Sequence, residues 1–580
     1  MPSSGAAYKS GQRQRAAAAG LCRTCCVAAV APGRATCAKC SSDASARSIR
    51  RRQAIRSKGE RARDVLASES LGDAYSSDGD YRAALKSYQR AFDLSVGDPA
   101  AQVRLASKVG DTAFHRGVAT EDDEWFNISP AEPVPLPGGG GFAQLQLQQI
   151  RTLWLSSRTA ETVPLAERLL EYAIACDDRE LILATQLSLV MVFHLLSRHD
   201  EAERYLRAID VDALPEDPAV VSKYHRLWAL TYARSGDAER AGARFAAALR
   251  SAERDHDPYA YASMLHSHAL AAGMLGRTEL SSRLLARALS TARERNLGWT
   301  VACFSLEWAR VLSRRGNRHL AHAYVNQAAL VENPPPVLLE ALTEIGIPIA
   351  IECNDEHLLD RCANEDALVY AFRSGEPQRL GPVAASFARY FQRTNQLQPA
   401  RELLAKALEY VRNADDACDL PLAIAQFGDE RYFGRAREIL RTRALLPNAD
   451  VATAHLHYFD AFVFDRRGEA EGCLREATAA ATLFRKLGWR SYEVAATLLG
   501  ASAHRACGTT DRLETSAPSL PPELTLREQS VVQLAIAGLS NREIGERLSI
   551  SARTVECHMT SILRRLGLRS RYQLLESVGR

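Results

Sequence analysis

The chain has 580 residues, of which 46% are hydrophobic, 24% charged and 7% aromatic, and its formal net charge is only +4. This length exceeds what one hydrophobic core supports, so a single compact domain is excluded and several domains are expected. The small net charge excludes a basic surface spread over the whole protein, so any site for a polyanion must be local. The abundance of Ala, Leu, Arg and Glu favours helix over strand, and we predict an all-α fold.

The first segment, residues 1–57, is rich in Ala, Ser, Arg and Lys, which predicts a disordered basic segment. It contains the pairs Cys22-x-x-Cys25 and Cys37-x-x-Cys40, a spacing typical of zinc ribbons. Against zinc, Cys26 is left over and few apolar residues are present to pack around a metal. Zinc binding, a disordered tail and a start codon assigned too far upstream stay open for this segment, and no metal or cofactor is included in the expected function.

The cysteines after residue 40 are scattered singly, a pattern that suits a reducing cytosol. The most apolar stretch near the N-terminus, residues 16–31, is interrupted by Arg23 and is too short to span a bilayer. No later stretch reaches the roughly eighteen uninterrupted apolar residues that a membrane span needs. We therefore expect a cytoplasmic protein that does not bind membranes.

An internal repeat dominates the sequence from residue 58 onward. Small and aromatic residues recur in it with the offsets of a tetratricopeptide repeat, a hairpin of two helices that cross closely at small side chains. The first copy comprises Leu71, Gly72, Tyr75, Gly79, Ala84, Tyr88 and Ala91. Three further copies comprise Ala229, Tyr232, Gly236, Ala241, Phe245 and Ala248; Ala269, Ala272, Gly276, Ser281, Leu285 and Ala288; and Ala309, Leu312, Gly316, Ala321, Val325 and Ala328.

The repeat also predicts how the domains divide. Looser copies occur around residues 193–206, 388–407 and 461–477, and because one hairpin cannot bury its own apolar face, the stacked copies predict a curved α-solenoid. Two segments rich in Pro with Gly or Ser interrupt the pattern. The predicted divisions are an N-terminal tetratricopeptide-like repeat at 58–120, a Pro/Gly-rich linker at 121–143, a helical repeat domain at 144–507, a second linker at 508–522 and a small C-terminal domain at 523–580.

Helix-start and helix-stop signals divide the C-terminal domain into four helices. Capping boxes are predicted at Thr525-x-x-Glu528, Ser540-x-x-Glu543 and Ser570-x-x-Gln573, Ser551 is predicted to cap a further helix, and Gly538 and Gly567 are predicted to end helices. The expected helices span about 526–537, 541–548, 552–566 and 571–578. The break of only three residues between the second and third is typical of a helix-turn-helix.

The third of these helices has two distinct faces. An apolar stripe is formed by Val555, Met559, Ile562 and Leu566, which predicts one face in the core of the domain. The opposite face carries Arg553, Cys557, Thr560 and Arg564, with Glu556 on one side and His558, Ser561 and Arg565 on the other. Short polar side chains between arginines favour entry into a DNA major groove, with the arginines on phosphates. From residue 551 onward six arginines accompany two glutamates.

Four motifs in register identify a family. They are Leu524-Thr525-x-Arg527-Glu528, Gly538-x-Ser540-Asn541-Arg542-Glu543-Ile544, Leu548-x-Ile550-Ser551-x-x-Thr554-Val555-Glu556-x-His558 and Ile562-x-x-Arg565-Leu566. Together they resemble the LuxR/NarL-type DNA-binding domain. The resemblance implies that Glu556, Cys557 and Thr560 read bases and that a fourth helix, with Tyr572, Leu575 and Val578, pairs two subunits. The candidate DNA-binding set is Arg553, Thr554, Glu556, Cys557, His558, Thr560, Ser561, Arg564 and Arg565.

Three positions and two roles need comment. Arg542 and Arg565 stand where lysine is common in the family, and Gly545 stands where alanine is common. Gly545 is predicted to loosen the second helix by less than about 1 kcal/mol. His558 is open to a phosphate contact or a purely structural role, and Cys557 is interpreted as a small groove-facing side chain rather than a redox sensor.

The expected function is that of a sequence-specific transcriptional regulator whose repeat domain serves as a sensor or protein-interaction module. Neither a GxxxxGK[ST] phosphate loop nor the alternation of a receiver domain is present, so a signal is expected to enter through the repeats. Expected partners are double-stranded DNA, a second copy of the chain, RNA polymerase, and a protein, peptide or small-molecule ligand. The alternative is a tetratricopeptide scaffold with a vestigial DNA-binding domain. An enzyme is not expected, because no nucleophile–base pairing or cofactor loop is apparent.

Overall fold

The computed structural model of the chain describes residues 60–78, 80–117, 140–211, 214–255, 257–295, 297–411, 418–506, 524–536, 541–548 and 550–566. Within these ranges the regular structure is helical and contains no β-strand, which confirms the predicted all-α class. The Cys-x-x-Cys pairs, the predicted linker 508–522, the Ser540 capping box and the fourth helix of the C-terminal domain lie outside the described residues. None of the described helices is both long and apolar enough to cross a membrane.

The described helices before the C-terminal domain follow one another with short connections. They are α1 (60–77), α2 (Tyr81–Leu94), α3 (Pro99–Arg116), α4 (Gly140–Leu155), α5 (Thr159–Ala175), α6 (Arg179–Leu195), α7 (His199–Arg207), α8 (Pro218–Arg234), α9 (Ala238–Asp255), α10 (Pro258–Met274), α11 (Thr278–Glu294), α12 (Trp299–Arg314), α13 (Arg318–Ala328), α14 (Pro336–Cys353), α15 (Glu356–Cys362), α16 (Glu365–Ser374), α17 (Pro377–Arg393), α18 (Leu397–Tyr410), α19 (Asp419–Phe427), α20 (Phe433–Ala444), α21 (Asp450–Arg466), α22 (Ala470–Lys486) and α23 (Arg490–Ala506). The linker predicted at 121–143 is too long by this measure, because α4 begins inside it at Gly140.

The helices form two compact units. In the described residues, one unit comprises 60–113 and 140–145, and the other comprises 114–117 and 146–566. The first unit contains the predicted hairpin, with Ala84, Tyr88 and Ala91 buried in it. Gly72 is required there, because a Cβ atom at this position would lie 2.5 Å from the ring of Tyr88. Leu71, which the repeat pattern placed in the core, is instead 50% exposed.

The second unit contains the three regular repeats as the helix pairs α8 and α9, α10 and α11, and α12 and α13. Their small and apolar pattern residues are buried, as an interface between closely crossing helices requires. The turns between paired helices need a left-handed residue, and Gly236, Gly276 and Gly316 supply it with φ of +79°, +71° and +85°. The looser copies correspond to the pairs α6 and α7, α17 and α18, and α21 and α22. The helical repeat prediction is confirmed.

Repeats that are distant in the sequence also contact one another within this second unit. The side chain of Asn448 donates to the carbonyl of Gly236 at 2.9 Å, and Arg443 donates to the carbonyl of Arg234 at 2.8 Å. Ser491 likewise donates to the carbonyl of Ser313. These hydrogen bonds satisfy carbonyls at the ends of helices, where no partner exists within the helix. They join the later repeats to the turns of the earlier ones.

Candidate nucleic-acid interface

The C-terminal domain begins with a reciprocal capping box. The backbone N–H of Thr525 donates to Oε2 of Glu528 at 3.0 Å, and the backbone N–H of Glu528 donates to Oγ1 of Thr525 at 3.3 Å. Two donors at the start of α24 (Leu526–Ile536) are thereby satisfied. The capping box predicted from Thr525 and Glu528 is confirmed.

The second and third helices form a helix-turn-helix. Helix α25 (Asn541–Leu548) and helix α26 (Ala552–Arg565) are separated by three residues, close to the predicted bounds. Ser551 caps α26, because its Oγ accepts the backbone N–H of Thr554 at 3.0 Å. Its hydroxyl also lies 2.7 Å from the Thr554 hydroxyl, so Thr554 is engaged at the start of the helix.

Gly545 has a steric function that the sequence did not reveal. A Cβ atom at Gly545 would lie 2.6 Å from the carbonyl oxygen of Ile550 and 3.2 Å from the backbone nitrogen of Ala552. The Gly545 carbonyl accepts the N–H of Ile550 at 2.9 Å, which closes the turn. The prediction that this glycine only loosens α25 was therefore incomplete, because the bare backbone also allows α26 to start close to α25.

A small apolar core fixes the orientation of α26. The buried residues that form it are Leu524, Val531, Val532, Ala535, Ile544, Val555, Met559 and Ile562. Three members of the predicted stripe, Val555, Met559 and Ile562, lie in this core, and Leu566 is half-buried against it. Because one face of the helix is held in this way, the opposite face must point away from the domain.

That opposite face carries most of the predicted DNA-binding residues. Arg553, Glu556, Cys557, Thr560 and Arg564 are exposed. The two arginines make no ion pair with any described residue. The hydroxyl of Thr560 donates to the backbone carbonyl of Glu556 at 2.9 Å, a local hydrogen bond that a hydroxyl exchanges readily for another acceptor. The predicted His558 is half-buried beside this face.

Ser561 and Arg565 lie on a different side of α26 and contact Glu528. The hydroxyl of Ser561 donates to Oε1 of Glu528 at 3.0 Å, and Nη1 of Arg565 lies 3.3 Å from Oε2. The backbone N–H and hydroxyl of Thr525, together with Ser561 and Arg565, hold the pKa of Glu528 below its ordinary value. The Glu528 residue is only 4% exposed. Glu528 therefore connects the first and third helices.

The role of Glu528 was missed because the sequence identifies it only as a capping residue. Ser561 and Arg565 are four positions apart on α26 and therefore share one side of the helix. That spacing was the available signal, but the approach of α24 to this side depends on the tertiary fold. Two residues of the predicted DNA-binding set are thus engaged within the domain.

The geometry agrees with comparisons to known proteins. Residues 522–578 match a family model described as bacterial regulatory proteins of the luxR family. Over 57 residues the chain is 47% identical to an HTH-type transcriptional regulator of Mycobacterium bovis, which corresponds to 10% of this chain and 6% of that protein. Over 53 residues it is 43% identical to the oxygen regulatory protein NreC of Staphylococcus aureus, covering 9% of this chain and 24% of that protein.

These similarities are confined to the C-terminal domain, and the chain spans only 6% of the length of the first of these relatives. Among solved structures, yeast Tom70 aligns with 77% of this chain and 96% of its own, at 12% identity and a TM-score of 0.26. The family match, the three helices in their predicted places and the exposed outer face of α26 describe the same domain. Residues 522–578 are a helix-turn-helix domain of the LuxR family.

Proposed function

We propose that the protein is a transcriptional regulator that reads duplex DNA with helix α26. The observation that carries this proposal is the division of α26 into a buried apolar face and an exposed face of short polar side chains between two arginines. Such a helix fits a major groove, since its centre presents no bulky side chain and its cations reach the phosphates on either side. The family of the domain supports the same assignment.

The outer face separates into holding and reading residues. Arg553 and Arg564, exposed and without a carboxylate partner in the described part of the chain, contribute phosphate attraction. Glu556, Cys557 and Thr560 lie between them and contact base edges. A carboxylate accepts from the amino group of cytosine, and a threonine offers a hydroxyl or a methyl contact. Cys557 acts as a small side chain in this groove.

The remaining partners belong to the same proposal. Two copies of the chain bind DNA together, RNA polymerase is the machinery they influence, and the helical repeats receive the signal. Such an arrangement places the input in the larger part of the chain and the output in residues 522–578. The protein works in the cytoplasm, where both its DNA and a reducing environment are present.

The proposal is tested by selecting a preferred site from random duplexes with the full-length protein, followed by competition across every single-base variant of that site. Glu556→Ala and Thr560→Ala are expected to flatten the preference at one position each, by on the order of 1 to 3 kcal/mol. Affinity for unrelated DNA should hardly fall, because the phosphate contacts persist.

Two matched controls lie on an exposed helix of the repeats. Thr478 on α22 is exposed and makes the same type of hydrogen bond as Thr560, to the carbonyl of Leu474 at 2.7 Å. Glu471 is also exposed on α22. Thr478→Ala and Glu471→Ala should leave the profile of base preference unchanged. If the wild type selects no sequence, the scaffold alternative replaces this proposal.

A further inference from the structure

A cavity of about 320 Å³ lies among the helical repeats. Its wall is built by α12, α14, α17, α19, α21 and α23, so residues from positions 310 to 495 meet in one place. The volume is at the lower end of the range of about 300 to 1,000 Å³ that is typical of small-molecule sites. The wall combines apolar side chains with six charged ones, which is unusual for an interior.

Half of these charged groups have partners within the protein. Arg310 pairs with Glu307 at 3.1 Å and also with Glu344. Glu352 lies 3.4 Å from the guanidinium of Arg318. These three wall residues therefore neutralise their charges inside the fold, as enclosed charges must.

The other charged groups are not matched in this way. Arg389 and Asp419 make no hydrogen bond or ion pair with the described residues, and the hydroxyls of Tyr458 and Tyr492 have no such partner there either. All four line the same cavity. Leaving polar groups unpaired in an enclosed site costs about 1 to 3 kcal/mol each, so a site with several of them is suited to a polar guest.

Arg314 adds a second guanidinium without a carboxylate partner in the described chain. Its guanidinium carbon lies 4.2 Å from the centre of the Trp489 ring, a contact that holds the side chain in position but does not cancel its charge. Burial raises the pKa of Asp419, but the nearby Arg389 and Arg314 outweigh this and hold that pKa below its ordinary value. The cavity thus presents two cations and one anion.

We propose that this cavity binds a small zwitterion, an α-amino acid or a short peptide. Its carboxylate lies on Arg314 and Arg389, and its ammonium group lies on Asp419. Guanidinium groups are the preferred partners of a carboxylate, and each such bond is stronger than a neutral hydrogen bond. The ligand's side chain packs against the apolar part of the wall, formed by Ile345, Pro348 and Leu422.

The position of the cavity suggests how binding affects the protein. The six helices are each the first helix after a turn of the repeat array and come from different repeats. A ligand that bridges them favours the arrangement in which they are closest, and it shifts the population toward that arrangement. Regulation by this ligand rests on the proposed function, whereas binding itself does not.

The experiment uses purified full-length protein and a panel of the twenty protein amino acids and the dipeptides of alanine with each. Binding is detected by a rise in melting temperature and quantified by calorimetric titration. At least one compound is expected to bind. The corresponding acid without the amino group and the amide without the carboxylate should bind at least about tenfold more weakly, because each lacks one charged contact.

Variants locate the site. Arg389→Met and Asp419→Asn should weaken binding by about tenfold or more, because each removes a charge that the ligand meets. Ala495→Leu retains every charge but fills the cavity, and it should abolish binding. Arg393→Met is the control on α17, since that guanidinium is 42% exposed and pairs with Glu356 at 2.8 Å, and it should bind as the wild type does.

Failure of this inference differs from failure of the proposed function. If the wild type binds no compound of the panel, or if the analogues without amino group or carboxylate bind as well as the parent, the zwitterion site is wrong. Unchanged binding by Arg389→Met and Ala495→Leu would also overturn it. Neither result affects selection of a DNA site by the same protein, which tests the proposed function alone.

Discussion

Arginine is used in opposite ways in the helical repeats and in the C-terminal domain. On α26, Arg553 and Arg564 are exposed and form no ion pair with described residues. In the repeats, Arg379 is enclosed and pairs with Glu340 at 2.6 Å and with Glu376 at 2.7 Å. An exposed cation remains available to a polyanion, whereas an enclosed one must be neutralised by the protein or by a guest.

The comparison explains why the net charge of the chain says little about its function. Only local exposure decides whether a guanidinium contributes to DNA binding, holds helices together or faces a small ligand. Arg565 shows this within the C-terminal domain itself, since it lies near Arg564 in sequence yet contacts Glu528. The following predictions test this division from its largest expected effect to its smallest.

The first prediction concerns the contact that holds distant repeats together. Gly236 and Gly468 have similar left-handed backbones, with φ of +79° and +72°. A Cβ atom at Gly236 would lie 2.2 Å from the carbonyl oxygen of Pro447, whereas one at Gly468 would have nothing within 4 Å. Gly468→Ala should cost about 1 to 2 kcal/mol for the backbone conformation alone. Gly236→Ala should cost about 1 to 3 kcal/mol more through overpacking.

Hydrogen exchange detected by mass spectrometry measures this difference as local opening free energy. Faster exchange is expected in the turns around residues 236 and 447 for Gly236→Ala, and only around the turn at residue 468 for the control. Equal costs for the two variants would mean that the contact between distant repeats contributes nothing to their stability.

The second prediction concerns Glu528, the enclosed carboxylate of the DNA-binding domain. Glu528→Ala removes the acceptor of Thr525 and Ser561 and the ionic partner of Arg565, and it should destabilise the domain by about 1 to 3 kcal/mol. Because the fold lowers the pKa of Glu528, its contribution is present above the ordinary pKa of 4.5 and is lost as pH falls through the lower folded value.

Hydrogen exchange in α24 and α26 over a series of pH values provides the measurement. Glu528→Gln should abolish the part of the acid destabilisation that arises from this carboxyl group. Glu556→Gln is the matched control, since Glu556 is exposed on α26 and contacts no cation in the described residues. A similar loss for both variants would contradict the structural role of Glu528.

The third and smallest prediction separates two neighbouring arginines. Arg564→Ala should weaken binding to all DNA sequences and reduce the slope of log K against log salt by about 0.9, the value for one phosphate contact. Arg565→Ala should change that slope less, because Glu528 already binds this guanidinium. Titrations of the full-length protein with unrelated duplexes over a salt series measure both slopes. Equal changes would show that Arg565 leaves Glu528 to bind phosphate.

The repeats were best predicted where glycine marks their turns. Gly236, Gly276 and Gly316 indicate a left-handed residue directly, because glycine adopts that conformation without strain. Elsewhere in the array, Ser197 and Asn395 take the same conformation with φ of +55° and +61°. These residues also occur in many other settings, so their turns were recognised only as loose copies.

The helices of the C-terminal domain were predicted nearly to the residue. Thr525, Glu528 and Ser551 mark helix starts by hydrogen bonds that reach only three residues along the chain. Such local signals survive in the sequence whatever the fold around them. The same reasoning failed to place Ser561 and Arg565, whose partner lies on another helix.

The sequence by itself therefore determined the helices, their turns and the apolar stripes by which neighbours pack, because each depends on residues a few positions apart. Only the tertiary structure decided that Arg389, Asp419, Tyr458 and Tyr492 line one cavity. They lie on four helices of different repeats, and their meeting depends on the small rotation between successive repeats, summed over several of them. That rotation results from packing between helices, and no periodicity within one helix encodes it.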